Sequence, residues 1–106
     1  MKSEISVSQW NEVTVFVTQA LLGLISPNFR RVALVYENNT WTIEIVLEHE
    51  SRFDTEQIAD YLSALDAYDL RGCRWQSLVR VNSGALLFPT NNDERVIYWR
   101  REEAND

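Results

Sequence analysis

The sequence predicts an α+β fold, an antiparallel sheet of about five strands with two helices packed on one face, in the order α-β-β-α-β-β-β. Two stretches carry apolar residues at helical spacing, and other stretches alternate apolar and polar residues as strands do. The 106 residues are 45% hydrophobic, which is enough for one compact domain. We therefore expect a single domain over residues 1–106, with 102–106 as a frayed polar tail.

The first helix is predicted from one apolar stripe near the N-terminus. Ser6 or Ser8 is suited to cap its start, and Ser26-Pro27 ends it because the residue before a proline avoids the helical region. The stripe recurs at intervals of one, three and four residues and consists of Trp10, Val13, Phe16, Val17, Ala20, Leu21, Leu24 and Ile25.

A β-hairpin follows, and its turn and register are both predicted. Asn38-Asn39 interrupts two alternating runs, and asparagine tolerates the positive φ that a two-residue turn needs. A turn there pairs every apolar residue on one strand face with an apolar residue across the ladder. The expected pairs are Glu37 with Thr40, Tyr36 with Trp41, Leu34 with Ile43 and Val32 with Ile45.

The second helix is expected to begin at Asp54. In this prediction Asp54 is the N-cap, Gln57 completes a capping box, and Phe53 packs onto Ile58 as a hydrophobic staple. Arg71-Gly72 ends the helix. Its buried stripe consists of Ile58, Tyr61, Leu62, Leu65 and Tyr68.

A three-strand meander is the simplest interpretation of the remaining chain. Residues 74–81 alternate, a turn signal follows at 82–84, and residues 85–88 begin a return strand. The last strand runs over residues 95–101. The pattern leaves open whether Trp75 and Trp99 are exposed.

Charge and composition exclude several classes of function. Sixteen acidic against ten basic side chains give a net charge of −6, whereas nucleic-acid binding needs a cationic field. No apolar run approaches the ~18 residues of a membrane span, and the N-terminus lacks the apolar core of a signal peptide. We expect a cytoplasmic protein that binds neither nucleic acid nor membrane, and both a monomer and a homodimer remain open.

No set of residues in the sequence predicts an enzyme, a cofactor or a metal site. His49 is the only histidine in the chain and lies between Glu48 and Glu50. Neighbours on a strand point to opposite faces, so a strand would place both glutamates on the face opposite to His49. We expect His49 on the surface. Cys73 is the only cysteine and is expected to be a buried structural thiol.

Acidic residues are concentrated in one part of the chain. Residues 37–69 contain nine acidic side chains and one basic side chain, Arg52. Such a region either steers a cationic partner or only keeps the domain soluble. For a partner-binding surface the candidate residues are Glu37, Glu44 and Glu48 from the hairpin, with Glu50, Glu56 and Asp60 nearby.

A small acidic chain without catalytic residues, with an amphipathic first helix and the stretch LLGLISPNFR at residues 21–30 leading into a hairpin, resembles bacterial immunity proteins. More narrowly, it is similar to those paired with contact-dependent growth inhibition toxins. The resemblance implies a protein that binds and neutralises a cognate toxin domain, often a nuclease, inside the producing cell. The acidic region fits a basic nuclease site, because such a site must hold phosphates.

The alternative function is a small acidic chaperone or adaptor of the secretion type. Such proteins usually dimerise and hold a partner segment along an exposed apolar groove or a sheet edge. A large exposed apolar patch or a tight homodimer would favour it.

Overall fold

A computed structural model describes residues 6–66, 74–86 and 94–101. These residues form two helices and four strands: α1 (Val7–Leu21), β1 (Phe29–Glu37), β2 (Thr40–Leu47), α2 (Arg52–Asp66), β3 (Arg74–Val81) and β4 (Glu94–Trp99). The strands form one sheet in the order β3-β2-β1-β4. Buried residues from both helices join one hydrophobic cluster with the strands, so both helices cover the same face of the sheet.

The β1–β2 hairpin has the predicted turn and the predicted register. Asn38 and Asn39 have φ of 52° and 62°, the left-handed region that a two-residue hairpin turn requires. All four predicted pairs are present, including Tyr36 with Trp41 and Val32 with Ile45. The hairpin therefore follows from local turn chemistry and from the alternation of apolar residues.

The expectation of a wholly antiparallel sheet is wrong, and the described residues form four strands where about five were expected. β3 runs parallel to β2, with Trp41 opposite Trp75 and Leu47 opposite Val81, whereas β4 pairs antiparallel with β1. The predicted meander is wrong too, because β3 and β4 lie at opposite edges of the sheet. A parallel neighbour needs a long crossover connection, which α2 provides between β2 and β3.

Part of the remaining prediction falls outside the described residues. Ala85 and Leu86, where the return strand was expected to begin, are not in a strand. Residues 87 and 88, Tyr68, the Arg71-Gly72 helix end, Cys73 and the tail at 102–106 all lie outside the described residues.

The helix starts are determined by capping side chains. The Ser6 hydroxyl accepts a hydrogen bond from the Gln9 amide and the Gln9 side chain accepts one from the Ser6 amide, which is a complete capping box. α1 ends at Leu21, one turn before the predicted end. α2 is capped by Ser51 rather than Asp54: the Ser51 hydroxyl accepts from the Asp54 amide at 3.1 Å.

Aromatic rings fill the centre of the core. Trp41 is 2% exposed and packs against Trp10, Tyr36 and Trp75 at ring-centroid distances of 5.2, 4.7 and 6.0 Å. Trp75 is also buried, which answers the question that the sequence pattern left open. Trp99 is half-buried on the opposite face of the sheet, where the Arg31 guanidinium lies 5.6 Å from its ring centroid.

A β-bulge at Arg30 fastens the chain after β3 to the sheet. Arg30 is the extra residue between Phe29 and Arg31 in the β1–β2 pairing, and it is 5% exposed. Its guanidinium donates to the carbonyl oxygens of Asn82 and Gly84, the latter at 2.7 Å. The segment that follows β3 is thereby held against the start of β1.

Tyr61 joins the two helices and makes stability depend on pH. Its hydroxyl donates to the Val17 carbonyl oxygen at 3.0 Å, and burial raises the pKa of Tyr61 above its ordinary value of 10.0. A group whose pKa is higher in the folded protein than in the unfolded chain stabilises the fold at any pH below its unfolded-state pKa. This contribution is lost as the pH rises from the unfolded-state pKa towards the folded-state pKa. We therefore expect the free energy of unfolding to fall above about pH 10.

The substitution Tyr61→Phe tests this link. We expect it to lower the free energy of unfolding by about 1 kcal/mol at neutral pH through the lost hydrogen bond. The loss of stability above about pH 10 should also be smaller in the variant than in the wild type. Urea denaturation at neutral pH and above about pH 10 measures both effects. An equally steep loss in the Phe variant and the wild type would contradict the assignment to Tyr61.

Candidate functional site

The candidate site lies where β2 ends and α2 begins. Four of the predicted acidic residues belong to this part of the chain, and we call them the α2 acidic surface: Glu48, Glu50, Glu56 and Asp60. Glu50, Glu56 and Asp60 are exposed and Glu48 is half-buried. Glu50 and Glu56 also border one shallow surface hollow with Arg52, so the loop and the helix contribute to one surface.

The other two predicted residues lie elsewhere. Glu37 is exposed at the hairpin turn, and the eight residues of β2 separate it from Glu48 by roughly 25 Å. Glu44 points to the helix-free face of the sheet, because its neighbours Ile43 and Ile45 point into the core. The structure therefore brings Glu48, Glu50 and Glu56 to the start of α2, places Asp60 two turns further along the same helix, and leaves the other two residues apart.

Arginines neutralise part of the predicted negative charge. Arg100 donates to Glu48 at 2.6 Å, and Arg52 donates to Glu56 at 3.2 Å, one helical turn away. On the other face Arg31 pairs with Glu44 at 3.1 Å. Among the described residues no ion pair involves Glu50 or Asp60. Because no arginine is bonded to them, these two carboxylates are the ones in the α2 acidic surface best placed to attract a cationic partner.

Asn28 holds the loop that carries this surface. Its side-chain oxygen accepts from the His49 amide at 3.0 Å, and its side-chain nitrogen donates to the His49 carbonyl at 2.8 Å. The same nitrogen donates to a carboxylate oxygen of Asp54 at 3.0 Å, and Asp54 is only 6% exposed. One asparagine thus links the chain before β1, the loop after β2 and the first turn of α2.

Phe53 is the residue of this site that the sequence analysis missed. We expected its ring to pack onto Ile58, but the side chain is 68% exposed. The staple fails because the helix is capped three residues earlier than predicted, at Ser51 instead of Asp54, which places Phe53 inside the first turn rather than before it. Phe53 instead borders a cleft with Pro27, Glu48, His49 and Arg100.

The described residues offer no metal site. No group of three or more His, Cys, Asp or Glu side chains among them is placed to hold a metal ion. His49 is exposed, as predicted, and its backbone rather than its ring is held by Asn28. In the same described ranges, no helix is both long and apolar enough to cross a membrane.

Comparison with protein families then identifies the chain. The sequence matches the MafI2 immunity protein family over residues 10–102, which includes all six elements except the first turn of α1. The chain belongs to the MafI2 immunity protein family. A comparison with curated proteins found no match.

Membership in the MafI2 family confirms the broader prediction of an immunity protein and implies a cognate toxin as its partner. It does not support the contact-dependent growth inhibition class in particular. It favours an immunity protein over the chaperone alternative. A chaperone would be favoured by one large exposed apolar patch. Among the described residues, the large apolar side chains that are exposed are instead spread over several elements: Val7, Val15, Leu22, Phe53, Leu78 and Val81.

Proposed function

We propose that this MafI2 protein neutralises its toxin by binding a basic nuclease domain through the α2 acidic surface, in a stoichiometric complex and without catalysis. A nuclease holds phosphates with cationic groups, so carboxylates on a docked protein can occupy the same position. The observation that carries the proposal is the placement of Glu48, Glu50 and Glu56 at the start of α2, with Asp60 exposed on the same helix two turns further on. The complex forms in the cytoplasm of the producing cell.

Electrostatic steering is the expected contribution of the two acidic residues without an ion pair. Glu50 precedes α2 and Asp60 lies two turns into it, and both are exposed. Exposed charges of one sign raise the rate of association with an oppositely charged partner, and salt screens that effect. Glu48 and Glu56 are already bonded to arginines and contribute less to the field.

Charge reversal at Glu50 and Asp60 tests the proposed surface. The toxin is first recovered with the wild-type chain from lysate of the native cell and identified by its lethality when expressed alone. We expect Glu50→Lys combined with Asp60→Lys to slow association with the purified toxin by roughly tenfold or more at low salt. The difference should shrink at about 0.5 M salt. Stopped-flow or surface-plasmon kinetics measure both rates.

The matched control is Glu37→Lys, which changes the net charge as much as either single reversal but lies at the hairpin turn. We expect Glu50→Lys and Asp60→Lys each to slow association more than Glu37→Lys does. Equal slowing by all three single variants would mean that only net charge matters. Unchanged association of the double variant would contradict an acidic docking surface at α2.

The nature of the toxin is tested separately by its activity. Degradation of DNA or RNA by the purified toxin, suppressed completely at an equimolar amount of this protein, is the expected result. A toxin that leaves both nucleic acids intact would contradict the nuclease part of the proposal. Delivery by the contact-dependent route stays a prediction from the sequence.

A further inference from the structure

Phe53 presents an aromatic ring to solvent in the middle of the α2 acidic surface. We propose that this ring is the apolar anchor of toxin binding and enters a hollow on the toxin that basic side chains border. This inference rests on the proposed function and names the chemistry of the toxin surface that fits it. Exposed aromatic rings are typical of interface centres, where a few residues contribute most of the binding free energy.

The outer face of α2 places the ring beside carboxylates. Residues three, four and seven positions apart share one face of a helix, so Phe53, Glu56, Gln57 and Asp60 lie along one stripe. The last three of these are exposed, as Phe53 is. A partner that covers the ring must also face Glu56 and Asp60. The complementary surface is therefore an apolar hollow with lysine or arginine at its rim.

The backbone that carries the ring is held in place before binding. Phe53 lies in the first turn of α2, which Ser51 caps, and the next residue, Asp54, is bonded to Asn28. A backbone that is already held in place loses little conformational freedom on association, so more of the contact free energy of the ring contributes to affinity. The loops of the same cleft are also tied together, because Arg100 bonds both the Pro27 carbonyl and Glu48.

The ring also has a concave surface next to it. Phe53 lines a cleft of about 490 Å³ with Pro27, His49, Glu48 and Arg100. A toxin side chain beside the hollow can enter this cleft and cover the second face of the ring. Leu22, at the end of α1, is another apolar residue that is 80% exposed. It lines neither this cleft nor the α2 acidic surface.

Phe53→Ala is the variant that tests the anchor, with Leu22→Ala as the matched control. The probe is the purified toxin domain recovered with the wild-type chain. We expect Phe53→Ala to raise the dissociation rate constant roughly thirtyfold or more. The association rate should change by less than about threefold, since the substitution leaves the charge unchanged. Leu22→Ala should leave both rate constants as in the wild type.

The outcomes separate this inference from the proposed function. Unchanged dissociation of Phe53→Ala, with slowed association of the Glu50 and Asp60 reversals, overturns the anchor and leaves the acidic surface standing. Faster dissociation of Phe53→Ala supports the anchor even where charge reversal has no effect. Equal losses in Phe53→Ala and Leu22→Ala overturn the anchor as well. Unfolding curves of both alanine variants, measured alongside, show that each is folded.

Discussion

Trp41→Ala is expected to lower the free energy of unfolding by about 3–5 kcal/mol, which is a large part of the stability of a typical domain. Trp41 is 2% exposed and contacts aromatic rings from three different elements. Its removal leaves a cavity between α1, β1 and β3 that these rings cannot fill without moving. Urea denaturation followed by far-UV circular dichroism measures the change.

Phe53→Ala is the aromatic control for Trp41→Ala. Because Phe53 is 68% exposed, its truncation should change the free energy of unfolding by no more than about 0.5 kcal/mol. Similar losses in the two variants would contradict the burial assigned to these rings. A loss below about 1 kcal/mol in Trp41→Ala would contradict its place at the centre of the core.

Asn28→Ala is expected to cost about 2–4 kcal/mol, because three hydrogen bonds are lost and one of them satisfies a buried carboxylate. Asp54 is 6% exposed, and the Asn28 side chain donates a hydrogen bond to its carboxylate at 3.0 Å. The backbone of His49 loses both bonds that the same side chain makes. The free energy of unfolding again measures the effect.

A double-mutant cycle isolates the Asn28–Asp54 contact from the other two bonds. We expect Asn28→Ala and Asp54→Ala to be less destabilising together than the sum of the two single effects, with a coupling of about 1 kcal/mol or more. Strict additivity would contradict direct coupling between the two side chains. Asn28→Ala should also weaken toxin binding, because the loop that carries Glu48 and Glu50 loses its attachment.

The hairpin shows how much local pattern alone can predict. Asn38-Asn39 and the alternation on either side of it determine both turn and register, because a slip of one residue would expose every apolar side chain. The Ser6 cap of α1 is local in the same way. In contrast, the alternation of β3 indicates a strand but shows neither which of its faces is buried nor which strand lies beside it.

The candidate site was predictable only in part, since exposure and pairing depend on distant residues. The acidic region was evident from composition, but the arginines that bond Glu44 and Glu48 lie 13 and 52 residues away along the chain. Phe53 had the sequence position of a staple, and a shift of three residues in the cap of α2 turned it outward. The local signal that could have placed the start correctly is Ser51, which stands three residues before Asp54 and caps the helix.

The sequence by itself determined the α+β class, the hairpin with its register, the surface position of His49 and the acidic character of the segment around α2. These features depend on the period of apolar residues, on turn chemistry and on charge, which are local properties. Only the tertiary structure decided the parallel β2–β3 pairing, the division of the acidic residues between two faces and the exposure of Phe53. These depend on contacts between residues far apart in the chain, and packing rather than local preference selects among them.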